Sequence, residues 1–141
     1  MKSLSTYIYI KGVKFHAFIG VSDIERKVGN DYTIDLRIKY PFQKAMFSDE
    51  VEDTLNYAET YNIIKQTMKK PTKLLEYSAN LIIDNLKSSF PLIQTIDLKL
   101  TKLNPPMGAD CNGAGVELHI EYWQLHITIL HINLLTLLDI Q

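Results

Sequence analysis

The chain holds a single cysteine, Cys111, among 141 residues. One thiol cannot form an internal disulfide, so a packed core must supply the stability, and a reducing cytosol is the expected setting. The four histidines, His16, His119, His126 and His131, are nowhere spaced i, i+4 or as His-x-His. With one isolated cysteine beside them, that distribution argues against a zinc site. An excess of charge of either sign is also missing. The net charge is −1 and the isoelectric point about 6.4, so no overall field draws the chain to nucleic acid or to an anionic membrane. The first residues, Met1-Lys2-Ser3-Leu4-Ser5-Thr6, lack the apolar run of a signal peptide. Internal repeats and low-complexity linkers are absent as well, and the length suits one domain able to bury roughly two-thirds of its unfolded surface.

One long apolar stretch is present, at the far end. Leu125 to Gln141 reads LHITILHINLLTLLDIQ. It is short for a membrane span, and His126, His131, Asn133 and Asp139 would each be costly in lipid. An extra packed strand or helix, or an appended extension, is expected there. The division is therefore a domain over 1–122 and an apolar C-terminal extension, of unassigned role, over 123–141.

Four segments alternate at period two, the spacing of a half-buried strand. They run from Tyr7 to Phe18, Asp31 to Tyr40, Thr95 to Lys102 and Ala114 to Tyr122. In the second, Tyr32, Ile34, Leu36, Ile38 and Tyr40 share a face against Thr33, Asp35, Arg37 and Lys39. Two helices are expected between the second and third. Asn56-Tyr57-Ala58-Glu59 resembles a capping box, followed by a stripe of Tyr61, Ile64 and Met68 that stops near Pro71. The next helix is expected to start from Thr72 as its cap and to carry Leu75, Ala79, Ile82, Ile83 and Leu86 as far as Phe90-Pro91. The order β-β-α-α-β-β predicts an α+β fold, an antiparallel sheet with both helices on one face. So small a sheet leaves long strand edges that must be paired or covered, and pairing between copies would make a homo-oligomer.

Polar groups stand in four places where packing does not call for them. In Thr95-Ile96-Asp97-Leu98-Lys99-Leu100-Thr101-Lys102 the alternation carries Lys102 onto the apolar face, just before Leu103-Asn104-Pro105-Pro106 stops the strand. An amine there either snorkels to water or is desolvated, which disfavours a charged form and suits general acid-base work. Gly20-Val21-Ser22-Asp23-Ile24-Glu25 puts a carboxylate in a loop, either simply solvated or part of a site. Asp53-Thr54-Leu55-Asn56-Tyr57 leads into a helix, where Asn56 would cap and Tyr57 would join the core stripe or a pocket. Leu74-Leu75-Glu76 opens the long helix; Glu76 complements the helix dipole, or offers two oxygens to a pair of parallel N–H donors.

Taken in order, G-V-x-x-x-E, D-T-L-N-Y-A-E, L-L-E and T-K-x-N-P-P resemble the dihydroneopterin aldolases of folate biosynthesis. The resemblance covers Ile8 to Tyr122, and Val28-Gly29 and Ser48-Asp49 also fall where that family places such residues. It implies the tunnelling fold, in which four-subunit rings merge their sheets into a barrel and stack in pairs as an octamer, with active sites between subunits. Glu76 would anchor the pterin, with Leu75 beside it. Thr54, Leu55 and Tyr57 would line the pocket, Tyr57 coming from a neighbouring subunit and handling a proton. Lys102 would be the acid-base residue, with Glu25 in its polar network. No metal and no cofactor are implied, and the partners would be a small pterin and copies of this chain.

The chain departs from the family pattern at Ile19, where many members have histidine, and in the extension after Tyr122. The first departure reads as variation in a wall residue, not as loss of activity, and leaves open a 2′-epimerase acting on dihydroneopterin triphosphate; a reading of a different class is a pterin-binding ring protein without turnover. Asn104-Pro105-Pro106 leans towards the aldolase. An epimerase would want cations for its triphosphate, and Arg26 and Lys27 are the candidates.

Overall fold

The computed structural model describes residues 2–123; apart from Trp123, the expected C-terminal extension lies outside the described residues. Four strands, β1 (Tyr7–Ala17), β2 (Asn30–Lys39), β3 (Thr95–Lys102) and β4 (Ala114–Glu121), form one sheet in the order β1-β2-β3-β4. All neighbouring pairs are antiparallel. The strand ends fall within one residue of the period-two segments, because alternation fixes which side chains can face a core. A bulge between Ile10 and Val13 offsets β1, where Gly12 takes a positive φ of 63° and its amide donates to Asp35 Oδ1 at 2.7 Å. The extra residue switches the inward-facing set on β1 from Ile8 and Ile10 to Val13, Phe15 and Ala17, so both halves of the strand still face the core.

A short helix, α1 (Asp23–Val28), joins β1 to β2, and between β2 and β3 lie a second short one, α2 (Ala45–Ser48), and the two long helices, α3 (Tyr57–Met68) and α4 (Leu75–Ser89). The long helices back one face of the sheet, α3 against β1 and α4 against β3 and β4. Ile34, Leu36, Ile38, Ile96, Leu98 and Leu100 meet Ile64, Met68, Ala79, Ile82, Ile83 and Leu86 in a single buried cluster. Each aliphatic side chain of that size contributes roughly 1.5–3 kcal/mol by leaving water. The opposite face carries Asp35, Arg37, Asp97, Lys99, Glu117 and His119, and opposite charges lie across from one another, Arg37 from Asp97 and Asp35 from Lys99. Among the described residues no helix is long and apolar enough to cross a membrane.

Two capping expectations change. Asn56 does cap α3, accepting from the amides of Ala58 (2.8 Å) and Glu59 (3.4 Å), but the reciprocal box forms at Ser22 and Glu25 of α1. Thr72 does not cap α4. Leu74 holds that position with no side-chain bond, because Thr72 is drawn into a parallel bridge with Ile19. The Thr72 amide donates to Phe18 O at 3.2 Å and its carbonyl accepts from Gly20 N at 3.0 Å. Its hydroxyl is tied to Ser78 Oγ at 2.5 Å.

Candidate active site

Lys102 is the last residue of β3 and keeps the parity of Leu98 and Leu100. It is only 8% exposed, so the amine does not snorkel into water. Its Nζ donates to Ile19 O at 3.0 Å and to Glu25 Oε1 at 3.2 Å. Tyr32, directly across the ladder on β2, places its ring centroid 5.9 Å from the same Nζ, and its hydroxyl donates to Ile19 O at 2.9 Å. Burial pushes the Tyr32 phenol up to about 12, which keeps it a neutral donor at ordinary pH. One main-chain carbonyl therefore gathers the lysine and the tyrosine. A buried amine survives there because it has acceptors, one of them ionised.

Glu25 reaches this point from α1. Its Oε2 accepts from the amide and hydroxyl of Ser22, each at 3.2 Å, leaving Oε1 for Lys102. The Ser22 amide first, then the lysine, holds its carboxyl below the usual range. The fold back is possible only because residue 20 is glycine. A Cβ on Gly20 would lie 2.2 Å from the Cβ of Glu25. Arg26 secures the turn, donating through Nη1 to Gly20 O at 2.7 Å and Val21 O at 2.6 Å and pairing with Asp23. Downstream of Lys102, Asn30 Nδ2 donates to Asn104 O at 2.7 Å and fixes the proline-rich exit.

The bridge between Ile19 and Thr72 brings the first turn of α4 beside this cluster, and with it Leu75, half-buried, and Glu76, exposed. The other predicted residues stand apart. Tyr57 is 70% exposed, not on the core stripe, which is built from Thr60, Ile64 and Met68. Thr54 is half-buried, and Leu55, only 2% exposed, is a core residue that can offer a ligand only its main chain. Helices α3 and α4 are antiparallel: Lys70 lies against the Tyr77 ring, while Thr67 accepts from Asn85. Tyr57 thus lies a helix length, about 18 Å for twelve residues, from the end of the hairpin where Glu76 starts.

Two features of this site differ from what the sequence pattern alone predicts. Tyr32 counted as core alone, although a buried tyrosine directs attention to what its hydroxyl bonds. The expected loop after Gly20 is instead helix α1, for which Ser22-x-x-Glu25 is itself a capping-box signature.

The family described as dihydroneopterin aldolase matches residues 8–119. The dihydroneopterin aldolase of Bacillus subtilis (strain 168) is 30% identical over 112 residues, 79% of this chain and 93% of that protein. That of Staphylococcus epidermidis (strain ATCC 12228) is 29% identical over 116 residues, 82% of this chain and 96% of the relative. A crystal structure of E. coli dihydroneopterin aldolase in complex with neopterin superimposes with a TM-score of 0.75 at 24% identity, covering 82% of this chain and 98% of that one. That last likeness is one of fold. Together with a family match that takes in the whole sheet up to His119, it means that the chain belongs to the dihydroneopterin aldolase family.

Proposed function

We propose that the protein cleaves the C1′–C2′ bond of 7,8-dihydroneopterin, giving 6-hydroxymethyl-7,8-dihydropterin and glycolaldehyde. The carrying observation is the buried Lys102, held at the end of β3 by Ile19 O and Glu25 in a chain of this family. The 2′-hydroxyl loses its proton and becomes the aldehyde of the departing fragment. The bond's electrons pass to C1′ and are delocalised on to the protonated N5, and C1′ is then protonated. The substrate's own C=N5 bond accepts the electrons, so the protein needs only proton traffic, and no Schiff base. Of the three N–H bonds of Lys102, two meet acceptors among the described residues, which leaves one for a substrate oxygen.

Glu76 binds the aminopyrimidinone edge, with Leu75 beside it, and the ligand is a small pterin. Neopterin is the ligand in the E. coli structure. The epimerase reading loses its best cation. The Arg26 guanidinium is occupied by Gly20, Val21 and Asp23, not presented to a triphosphate. The assay is incubation with dihydroneopterin and, separately, its triphosphate. Glycolaldehyde is expected from the first. A 2′-epimer of the triphosphate without glycolaldehyde would make the protein the epimerase, and pterin binding without any turnover would make it a binding protein. The exposed Cys111 suits a reducing cytoplasm.

The site is completed between subunits of a ring, two tetramers making an octamer. The support is the helix length that separates Tyr57 from the Glu76 end of the hairpin, with Tyr57 exposed to a neighbour. Lys102→Ala and Tyr57→Phe proteins, each impaired alone, should complement when unfolded together and refolded. Independent draws at each interface rebuild roughly a quarter of the sites in a closed symmetric assembly. Activity no better than the mean of the parents, with hybrids confirmed by mass, would place both groups on one chain.

A further inference from the structure

Helix α1 carries Glu25 to the lysine, yet none of its own residues is buried. Polar ties hold it. Arg26 secures the N-terminal end. At the C-terminal end the side-chain tie, among the described residues, is His16, on the polar face of β1. Its Nδ1 lies 2.9 Å from Asp31 Oδ1 on β2 and its Nε2 lies 3.1 Å from Val28 O, the last carbonyl of α1. Both partners are acceptors. A neutral imidazole has one N–H and can serve one of them; only the imidazolium serves both. Gly29 makes room for the ring, since a Cβ there would lie 2.6 Å from Nε2. Phe18 meets the imidazole edge-on at 5.4 Å between centroids.

We infer that His16 is a positioning residue: its doubly bonded imidazolium fastens the end of α1 and so keeps Glu25 on Lys102. The inference deepens the aldolase reading and, for its kinetic part, rests on it. Asp31 first, then Val28 O, hold the imidazole above its ordinary range. The sign follows. A group raised in the folded state is fully bonded at low pH, and as pH rises through the raised value it loses one of the two bonds. The ionisable groups closest to it along the ladder are Lys14 on β1 and Asp31 and Tyr32 on β2, and α1 carries Asp23, Glu25, Arg26 and Lys27. Of these, Asp31 bonds the ring directly, and Glu25 is already committed to Ser22 and Lys102.

The test follows the Glu25 side-chain carboxyl by carbon-detected NMR in the wild type, His16→Ala and His16→Gln, all as full chains. In His16→Ala the Glu25 titration is expected to move up towards the ordinary glutamate range as the carboxylate leaves Lys102. Gln keeps an N–H donor that does not titrate, so His16→Gln should hold Glu25 near its wild-type position. In steady-state kinetics His16→Ala should lose about tenfold in kcat, well short of the ~10²-fold cost of a full ångström of misplacement, with KM nearly unchanged. His16→Gln should keep kcat and lose one alkaline limb of its pH profile. An unchanged Glu25 titration in a folded His16→Ala protein overturns the inference. That readout needs no turnover, so it stands even if the protein proves not to be an aldolase. A shifted titration with unchanged kcat would also overturn it.

Discussion

Replacing Lys102 with alanine is expected to leave the protein folded and able to bind pterin while lowering turnover at least ~10²–10⁴-fold, the loss typical of an acid-base group. Folding should survive because neither acceptor is abandoned. Ile19 O keeps the Tyr32 hydroxyl, and Glu25 keeps both Ser22 donors. The remaining cost is that of removing one hydrogen-bonded partner from a largely buried pair, about 1–3 kcal/mol. Thermal unfolding, equilibrium pterin binding and single-turnover cleavage separate the three quantities. Near-normal cleavage by the alanine protein would end the proton-transfer role of Lys102, whatever its burial.

Glu76→Ala should give the reverse signature. Pterin affinity should fall by about two orders of magnitude, because a site built for paired N–H donors loses both carboxylate oxygens together. Turnover at saturating substrate should fall far less, since Glu76 is not among the groups that bond Lys102. The competing role is that of a dipole partner in the first turn of α4, which affects helix stability alone and is worth roughly 0.3–1 kcal/mol. Calorimetry that finds unchanged affinity beside a small drop in melting temperature would leave Glu76 with only that role.

What could be read from the chain was what depends on local period. Strict alternation from Thr95 to Lys102 fixed the face on which the lysine falls, and the fold agrees. The helix stripes and Asn56 were legible for the same reason. The lysine's surroundings were not legible, because they come from segments distant in sequence: Ile19, Glu25 and Tyr32 meet Lys102 only after β2 and β3 pair. Thr72 shows the limit most clearly. Its residue type favours a helix cap, but a long-range bridge to Ile19 claimed its backbone, and no local rule anticipates that competition. Tyr57 failed on the core stripe for a simpler reason. It is the first residue of α3, just past the Asn56 cap, and the buried side of that helix begins only at Thr60.

The role of Ile19 divides between two parts of one residue. Lys102 and Tyr32 both bond its carbonyl oxygen, which every amino acid supplies alike. Its side chain, 1% exposed, belongs to the hydrophobic cluster. Side-chain identity at position 19 is thereby uncoupled from the lysine's anchoring: a lineage can exchange isoleucine for histidine and alter the wall without removing the acceptor. Damage from an ill-fitting side chain there should register in melting temperature before it registers in proton transfer.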